Sequence, residues 1–389
     1  LNGSYYQATV VTYDASGSGS AESAPIQFYC FSSPTFTFPN LSSGDNITTS
    51  TYSFVAQYEQ VENELLNQYS FVLYDGEDKQ LTTSGVQYVG STSLPPTLVV
   101  WTVSGLEDGK DYKIIVNGIT AYGTQVTTGF VSFSVKYDSP ELPIPIELTN
   151  KCDEGYIRIH TASPKPIGGD VKMLKLKRRK YGDFNWVTLN SATIIPTRPY
   201  DVVWHDNLAQ SGVTYEYAVV PVSSGVEGRY VTDNILARFN GLFICSKDKI
   251  YKLYEGIAYG SGQREQKVGV FEPYGRKYPI VTSNANINYD TGSFSGLILP
   301  ENYMETGKID RKAIVERKDA ILDFLTNKSA KIIKDFNTNI WLCMITGSPS
   351  VTYESSFGMG VVSIDASWVE IGDVNNSSDM YSAGFIEEV

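Results

Sequence analysis

The recurrence of Gly-x-x-Tyr at near-constant spacing constrains this chain more than any other feature. The pattern occurs as Gly3-Ser4-Tyr5-Tyr6, Gly109-Lys110-Asp111-Tyr112 and Gly212-Val213-Thr214-Tyr215, the second glycine 106 residues after the first and the third 103 after the second. A leucine (Leu1, Leu106, Leu208) lies shortly ahead of each glycine. Alternating apolar residues follow the tyrosine, as in Tyr112, Ile114, Val116 and Tyr215, Tyr217, Val219. Glycine permits a positive-φ turn, and period-two alternation marks a half-buried strand. An interval of about 100 residues is the length of one small domain, so the pattern predicts one turn-plus-strand unit per domain. At 389 residues the chain exceeds what a single core serves, which predicts three to four domains. The 27 tyrosines and 33 glycines, with abundant Thr, Ser and Val, suit pleated surfaces joined by tight turns and make the fold class mainly β.

Each repeat tyrosine is predicted to pack its ring into the core while its hydroxyl caps a nearby backbone group, the arrangement of a tyrosine corner. On these residues the sequence resembles fibronectin type III domains over residues 1–240. The resemblance implies tandem fibronectin type III/Ig-like β-sandwiches. It departs from that family in lacking an evident early-strand Trp. The tyrosine strand is the next-to-last of such a sandwich, so residues 1–32 supply only the C-terminal part of one domain: that strand, a turn at 14–20 and a last strand near 26–31. Half a sandwich cannot bury its face alone, and residue 1 is therefore expected to lie inside a longer protein. Complete fibronectin type III-like domains are expected at 33–138 and 139–240. Ser32-Ser33-Pro34 and Asp138-Ser139-Pro140 mark their edges, and the prolines at 140–145 form a stiff linker.

From 241 to 389 the pattern stops and a different domain begins. Ile309, Ala313, Ile314, Ala320, Ile321, Phe324 and Leu325 recur at helical intervals opposite Arg311, Lys312, Glu316, Lys318, Asp319 and Asp323. This spacing predicts a helix over 310–327 that packs one face on a sheet, with Asp310 as N-cap and Asn327 at its end. Residues 331–336 and 340–345 flank Asn337-Thr338-Asn339, a hairpin signal. Ile364, Ala366 and Trp368 alternate and should share the core face. The succession of Gly292-Ser293-Phe294-Ser295-Gly296, a helix ending Leu322-Asp323-Phe324-Leu325, then Ile332-Ile333-Lys334-Asp335-Phe336 with Ile340-Trp341, then Trp368-Val369-Glu370-Ile371-Gly372-Asp373 resembles phage tail structural proteins over residues 270–385. That resemblance implies a β-sandwich/barrel domain with one packed α-helix, as in tail-tube and distal tail proteins, which assemble into rings around the tail channel.

Residues with chemistry are few. Thirty-one basic residues against 43 acidic ones give a formal charge of −12, which disfavours nucleic acid and anionic membrane surfaces. No apolar run approaches 18 residues, so no membrane insertion is expected. Cys30, Cys152, Cys245 and Cys343 are spread one to a region and read as four separate buried thiols. The two histidines, His160 and His205, have no Gly-x-Ser-x-Gly elbow to serve and read as structural. Tyr259-Gly260-Ser261-Gly262 and Gly358-Met359-Gly360 read as turns or bulges rather than nucleotide loops. Paired carboxylates for glycoside hydrolysis leave no spacing signature, since the two acids come from anywhere in a chain. The acid-rich 373–379 could offer Ca²⁺ ligands but lacks the Gly and closing Glu of an EF-hand loop, and reads as a solvated loop. Lys172, Lys175, Lys177, Arg178, Arg179 and Lys180 on one strand read as a solvated sheet face rather than a polyanion contact. The expectation is therefore a protein that is not an enzyme, with no catalytic, cofactor-binding or metal-ligating residues and no cofactor.

The tail resemblance implies a structural component of a bacteriophage virion tail or baseplate. Such a protein would form a homo-oligomer, a hexamer or trimer, through its C-terminal domain and would contact other virion tail proteins. The β-sandwich domains would act as spacers or as weak binders of host cell-surface carbohydrate during host attachment, since tyrosine and tryptophan can form a sugar-binding platform. The alternative is a bacterial surface or secreted adhesion module that binds glycans or proteins.

Overall fold

The structure, a computed structural model, describes residues 2–90, 94–137, 144–167, 170–259, 263–353 and 361–387. The expectations for Leu1, for the domain edge at 138–140, for the prolines at 140–143 and for the glycine turns at 260–262 and 358–360 lie outside those residues. Strands far outweigh helices among the described residues, so the mainly β class holds. The chain divides into two units, Leu1–Ser139 and Pro140–Val389.

The first unit opens with a hairpin of β1 (Ser4–Ala8) and β2 (Ile26–Cys30), whose turn is closed by a bridge between Tyr13 and Gly19. There follow β3 (Thr35–Thr37), β4 (Asp45–Ile47), β5 (Tyr52–Glu59), β6 (Leu66–Asp75), β7 (Gln80–Thr83), β8 (Gln87–Tyr88), β9 (Thr97–Val103), β10 (Asp111–Thr120), β11 (Gln125–Thr127) and β12 (Val131–Val135). One sheet runs β3-β5-β9 and the facing one β4-β12-β10-β6-β7, with β4 parallel to β12 and β11 and β8 attached to β10 and β6. This is the two-sheet arrangement of a fibronectin type III sandwich. Phe54, Phe71, Tyr112 and Phe133 fill the space between the sheets. The absent early-strand Trp is replaced by Phe54 on β5, with Trp101 of β9 supplying the indole beside it, ring centroids 6.4 Å apart.

The second unit begins with another sandwich: β13 (Glu147–Lys151), β14 (Tyr156–Ser163), β15 (Val171–Lys180), β16 (Val187–Thr193), β17 (Tyr200–Asp206), β18 (Thr214–Ser223), β19 (Val226–Glu227) and β20 (Thr232–Leu236). Its sheets are β13-β14-β17 and β16-β15-β18, the latter extended by β19 and β20. Two of the three repeat tyrosines form the predicted corners: Glu107 N–H donates to Tyr112 Oη at 2.9 Å and Gln210 N–H to Tyr215 Oη at 3.1 Å, whereas Tyr6 lies half-exposed in the opening hairpin with its ring stacked on Phe28 at 5.8 Å, outside either core. Gly109 and Gly212 hold φ of 73° and 81°, a region a side chain disfavours.

Beyond it lie β21 (Leu242–Cys245), β22 (Ile250–Tyr259), β23 (Gln263–Phe271), β24 (Ile280–Ile298), α1 (Tyr303–Thr306), α2 (Arg311–Thr326), β25 (Lys331–Lys334), β26 (Ile340–Tyr353), β27 (Val362–Gly372) and α3 (Ser377–Ser382). The sheet order is β22-β21-β25-β26-β27-β24-β23, and β22 also pairs with β24. That extra pairing closes β21, β22, β24, β27, β26 and β25 into a six-stranded barrel with β23 outside it. Helix α2 is capped by Asp310, whose carboxylate accepts from Lys312 and Ala313 N–H. The helix buries Ile314, Ile321, Phe324 and Leu325. Ala320, expected on that face, is exposed, because Ile321 one 100° step further on takes the buried position.

The strand alternation of this barrel splits two cores. Leu242, Ile244, Ile333, Cys343, Ile364, Ala366 and Trp368 join the α2 residues, whereas Phe243, Cys245, Ile332 and Leu342 point the other way. The second set lies in one continuous core with Ile157, Ile159, Trp204, Tyr217 and Phe239 of the preceding sandwich, and with Met380, Phe385 and Ile386 from α3 and the residues after it. Sandwich and barrel therefore share a core. Two close glycine approaches permit the barrel packing: a Cβ on Gly292 would lie 2.8 Å from Trp368, and one on Gly296 2.9 Å from Leu253.

Three further expectations need correction. The basic strand is not a solvated face. Arg178 points between the sheets to Asp206, Lys175 and Lys177 pair with Glu227, and Arg179 pairs with Glu216 under the Trp186 ring. Segments around Trp186 and Tyr230 cover that outer face, which an isolated strand does not reveal. The four thiols are not all buried: Cys245 and Cys343 are, whereas Cys30 and Cys152 are partly exposed. Finally, 373–379 is not a plain loop, because Asn376 caps α3 by accepting from Ser378 and Asp379 N–H, and Asp379 accepts from Asp373 N–H.

Candidate functional site

The feature of the second unit least accounted for by its own packing is a β-arm. β24 runs 19 residues, yet β27 pairs with it only from Thr291 onward and β22 only around 294–297. Residues 280–283 and 288–290 of β24 pair with β23 alone, the register skipping 284–287 at an irregularity opposite Lys267, so a two-stranded ribbon about 25 Å long leaves the barrel. Its tip is bracketed by Pro273 and Pro279, which cannot extend a ladder, and turns at Gly275 with Arg276 N–H donating to Pro273 O at 3.2 Å. Val268, Val270, Phe271, Tyr274, Tyr278, Ile280 and Val281 are all exposed on this arm. Lys277 sits 5.3 Å from the centre of the Tyr278 ring, giving the tip a mixed aromatic and cationic character.

The base of the arm is fixed by charge. Asp290 accepts from Arg264 Nε at 3.0 Å and from Trp341 Nε1 at 3.2 Å, while its own N–H donates to Glu370 at 2.7 Å. The Arg264 hydrogen bond, against a smaller opposing effect of burial and with help from Trp341, holds the Asp290 carboxyl below its usual range. Trp341 and Trp368 pack at 5.0 Å between centroids directly beneath. A rigid root carrying an apolar tip is the geometry of an interaction element rather than of a reaction centre.

Titratable groups elsewhere are committed to structure. Burial would raise the Asp206 carboxyl, but Arg178 and the Tyr217 hydroxyl at 2.6 Å outweigh it and hold it low. Lys334, fully buried, donates to Asn207 O at 2.6 Å and Ala209 O at 2.8 Å and lies 4.3 Å from the Phe239 ring centre. Burial pushes its ammonium down to about 8, so it still carries the proton that those two carbonyls accept at neutral pH. Burial likewise lifts the Cys245 thiol to about 11, which makes it a poor nucleophile. Both ring nitrogens of His160 face carboxylates, Glu147 at 2.9 Å and Asp201 at 3.0 Å, leaving neither to take a proton from a nucleophile. His205 stacks on Tyr156, and burial lowers its pKa. Among the described residues no cluster of three His, Cys, Asp or Glu side chains could hold a metal, and no helix is long and apolar enough to cross a membrane.

No protein-family model and no curated protein matches the chain. Solved structures do. The fibronectin(III)-like modules of Clostridium thermocellum CbhA match at 12% identity and a TM-score of 0.19, over 52% of this chain and 94% of that one. The FN1-FN3 domains of chicken CNTN1 match at 12% identity and 0.21, over 61% and 77%. A segment of two fibronectin type-III domains from chicken tenascin matches at 12% identity and 0.18, over 52% and 99%. Likeness at such scores carries no weight, and the β-sandwich assignment stands on the strand pairing and the two tyrosine corners.

The arm and the shared core both escaped sequence reasoning. Alternation at Val268, Val270 and at Ile280 was visible, but nothing in a single sequence says that a strand runs past its partners. Lys334 was read only as part of a hairpin strand. The two consecutive isoleucines ahead of it, Ile332-Ile333, were the available signal that the strand is buried on two faces.

Proposed function

We propose that this chain is a structural component of a bacteriophage tail or baseplate that self-assembles through its C-terminal barrel, and that it is not an enzyme. The observation that carries the reading is the β-arm: a fixed root, a ribbon without third-strand support, and seven large apolar side chains open to solvent. An isolated ribbon of this kind is marginal in water, and burial against another subunit would both stabilise it and remove its exposed edge. In a closed ring each subunit offers an arm and receives its neighbour's on a different surface, which is a heterologous interface. A hexamer or trimer follows from the resemblance of 270–385 to tail proteins, as does a place in the virion tail among other tail proteins. The sandwich domains then serve as spacers or as weak binders of a host surface.

Mass photometry and negative-stain electron microscopy at increasing protein concentration test this. Closed rings of three or six copies are the expected result. A species that stays monomeric up to tens of micromolar would move the assignment to a surface or secreted adhesion module, the reading that the sandwiches alone favour.

A further inference from the structure

We propose that the outer face of the sheet formed by β8, β6, β10 and β11 in the first unit binds a short stretch of an uncharged oligosaccharide. This deepens the host-surface part of the function proposed above and rests on it for its biological setting, but its geometry is independent of the arm. The strand register sets the site. Tyr88 pairs with Gln68, Gln68 with Ile119 and Ile119 with Gln125, which places these four in one row across four strands. Two residues along, Ser70 pairs with Asn117 and Asn117 with Thr127 in a second row. Directly paired residues share a face, and this face is the outer one because the intervening Phe71, Val116, Gly118 and Val126 point into the core.

Strand spacing of about 4.8 Å and a two-residue repeat of about 6.8 Å make the grid of polar side chains comparable to a disaccharide in size. The face is a groove of about 520 Å³, overhung by Val86, within the range of small-ligand sites. None of the residues lining it is charged, although 19% of the chain is. Gln68, Asn117 and Gln125 each bring an amide donor and acceptor, and Ser70 and Thr127 bring hydroxyls. Neighbouring hydroxyls of a sugar ring likewise donate and accept, so amides match them without a desolvated charge. Ile119 supplies an apolar floor, and Tyr88, 76% exposed, stands at the end of the row as a ring on which a sugar's C–H face can lie.

The test is saturation-transfer NMR on the full chain with maltohexaose, cellohexaose and the hexamer of N-acetylglucosamine. Hexagalacturonate and a Gly/Ser/Asn dodecapeptide serve as comparators. We expect transfer to at least one neutral hexasaccharide, weakened roughly tenfold in Gln68→Ala/Asn117→Ala and in Tyr88→Ala, the scale of a lost hydrogen-bond pair or stacking contact. Asn117 and Tyr88 are exposed and Gln68, half-buried, lies outside the core, so thermal melts of the variants should stay close to the parent. Absence of transfer to every neutral sugar, transfer unchanged in the variants, or stronger transfer to the uronate or the peptide would each overturn the proposal. Mass photometry of the same variants keeps the two readings apart, because assembly should be unaffected whichever way the sugar experiment falls.

Discussion

Asp206 ties together the buried polar contacts between the two sheets of the second sandwich. It receives Arg178 at 2.8 Å and the Tyr217 hydroxyl at 2.6 Å, and it caps Leu208 N–H at 2.9 Å, all out of water. Removing one partner of a buried pair leaves the other charge without compensation, so Asp206→Ala should cost about 3–5 kcal/mol in urea unfolding. A loss below about 1 kcal/mol would mean that water reaches Arg178. His160 makes a pH-dependent contribution of definite sign. Its hydrogen bond with Glu147, opposed by burial and assisted by Asp201, raises its pKa above the ordinary 6.5. The group's stabilising effect is therefore fully present below pH 6.5 and is lost as pH rises through the higher folded value. The melting temperature of the parent should fall relative to His160→Gln between pH 6 and 8; a constant difference across that range would contradict the assignment. Residue roles of this kind were only half legible in the sequence. The repeat tyrosines announced themselves by spacing, whereas Arg178 looked like one more surface cation until the facing strand brought Asp206 opposite it.

At the scale of elements, local signals worked wherever one stretch of chain determines its own structure. The α2 cap and apolar stripe, the hairpin at 335–340 and the alternation of Ile364, Ala366 and Trp368 were all readable, because each depends on neighbours in sequence. The glycine pair in β24 is a different case. Gly292 and Gly296 appeared as part of a family-like motif, and the reason for them is cross-strand: Trp368 and Leu253 occupy the space a Cβ would need. Gly292→Val should force Trp368 from its place over Trp341, destabilise the barrel by about 1–3 kcal/mol or more, and change near-ultraviolet circular dichroism. Tyr112→Phe and Tyr215→Phe should each cost about 1 kcal/mol by losing the corner hydrogen bond. An effect confined to one of the two would show that the corners are not equivalent.

For the molecule as a whole, two long-range features were beyond a single sequence: the closure of the barrel by β22 against β24, and the core it shares with the sandwich before it. The second carries a calorimetric consequence. Because Phe243, Cys245, Ile332 and Leu342 complete a core that begins at Ile144, the sandwich at 144–239 should not melt by itself, and no separate transition for it should appear. An arm that acts as the assembly element is tested by sedimentation velocity on the parent and on Phe271→Glu/Tyr274→Glu. Both positions lie on the exposed tip, so the variant should keep the parent's melting behaviour. The parent should sediment as a closed oligomer and the variant as a folded monomer. Equal sedimentation of the two as oligomers, or a monomeric parent, would contradict that role.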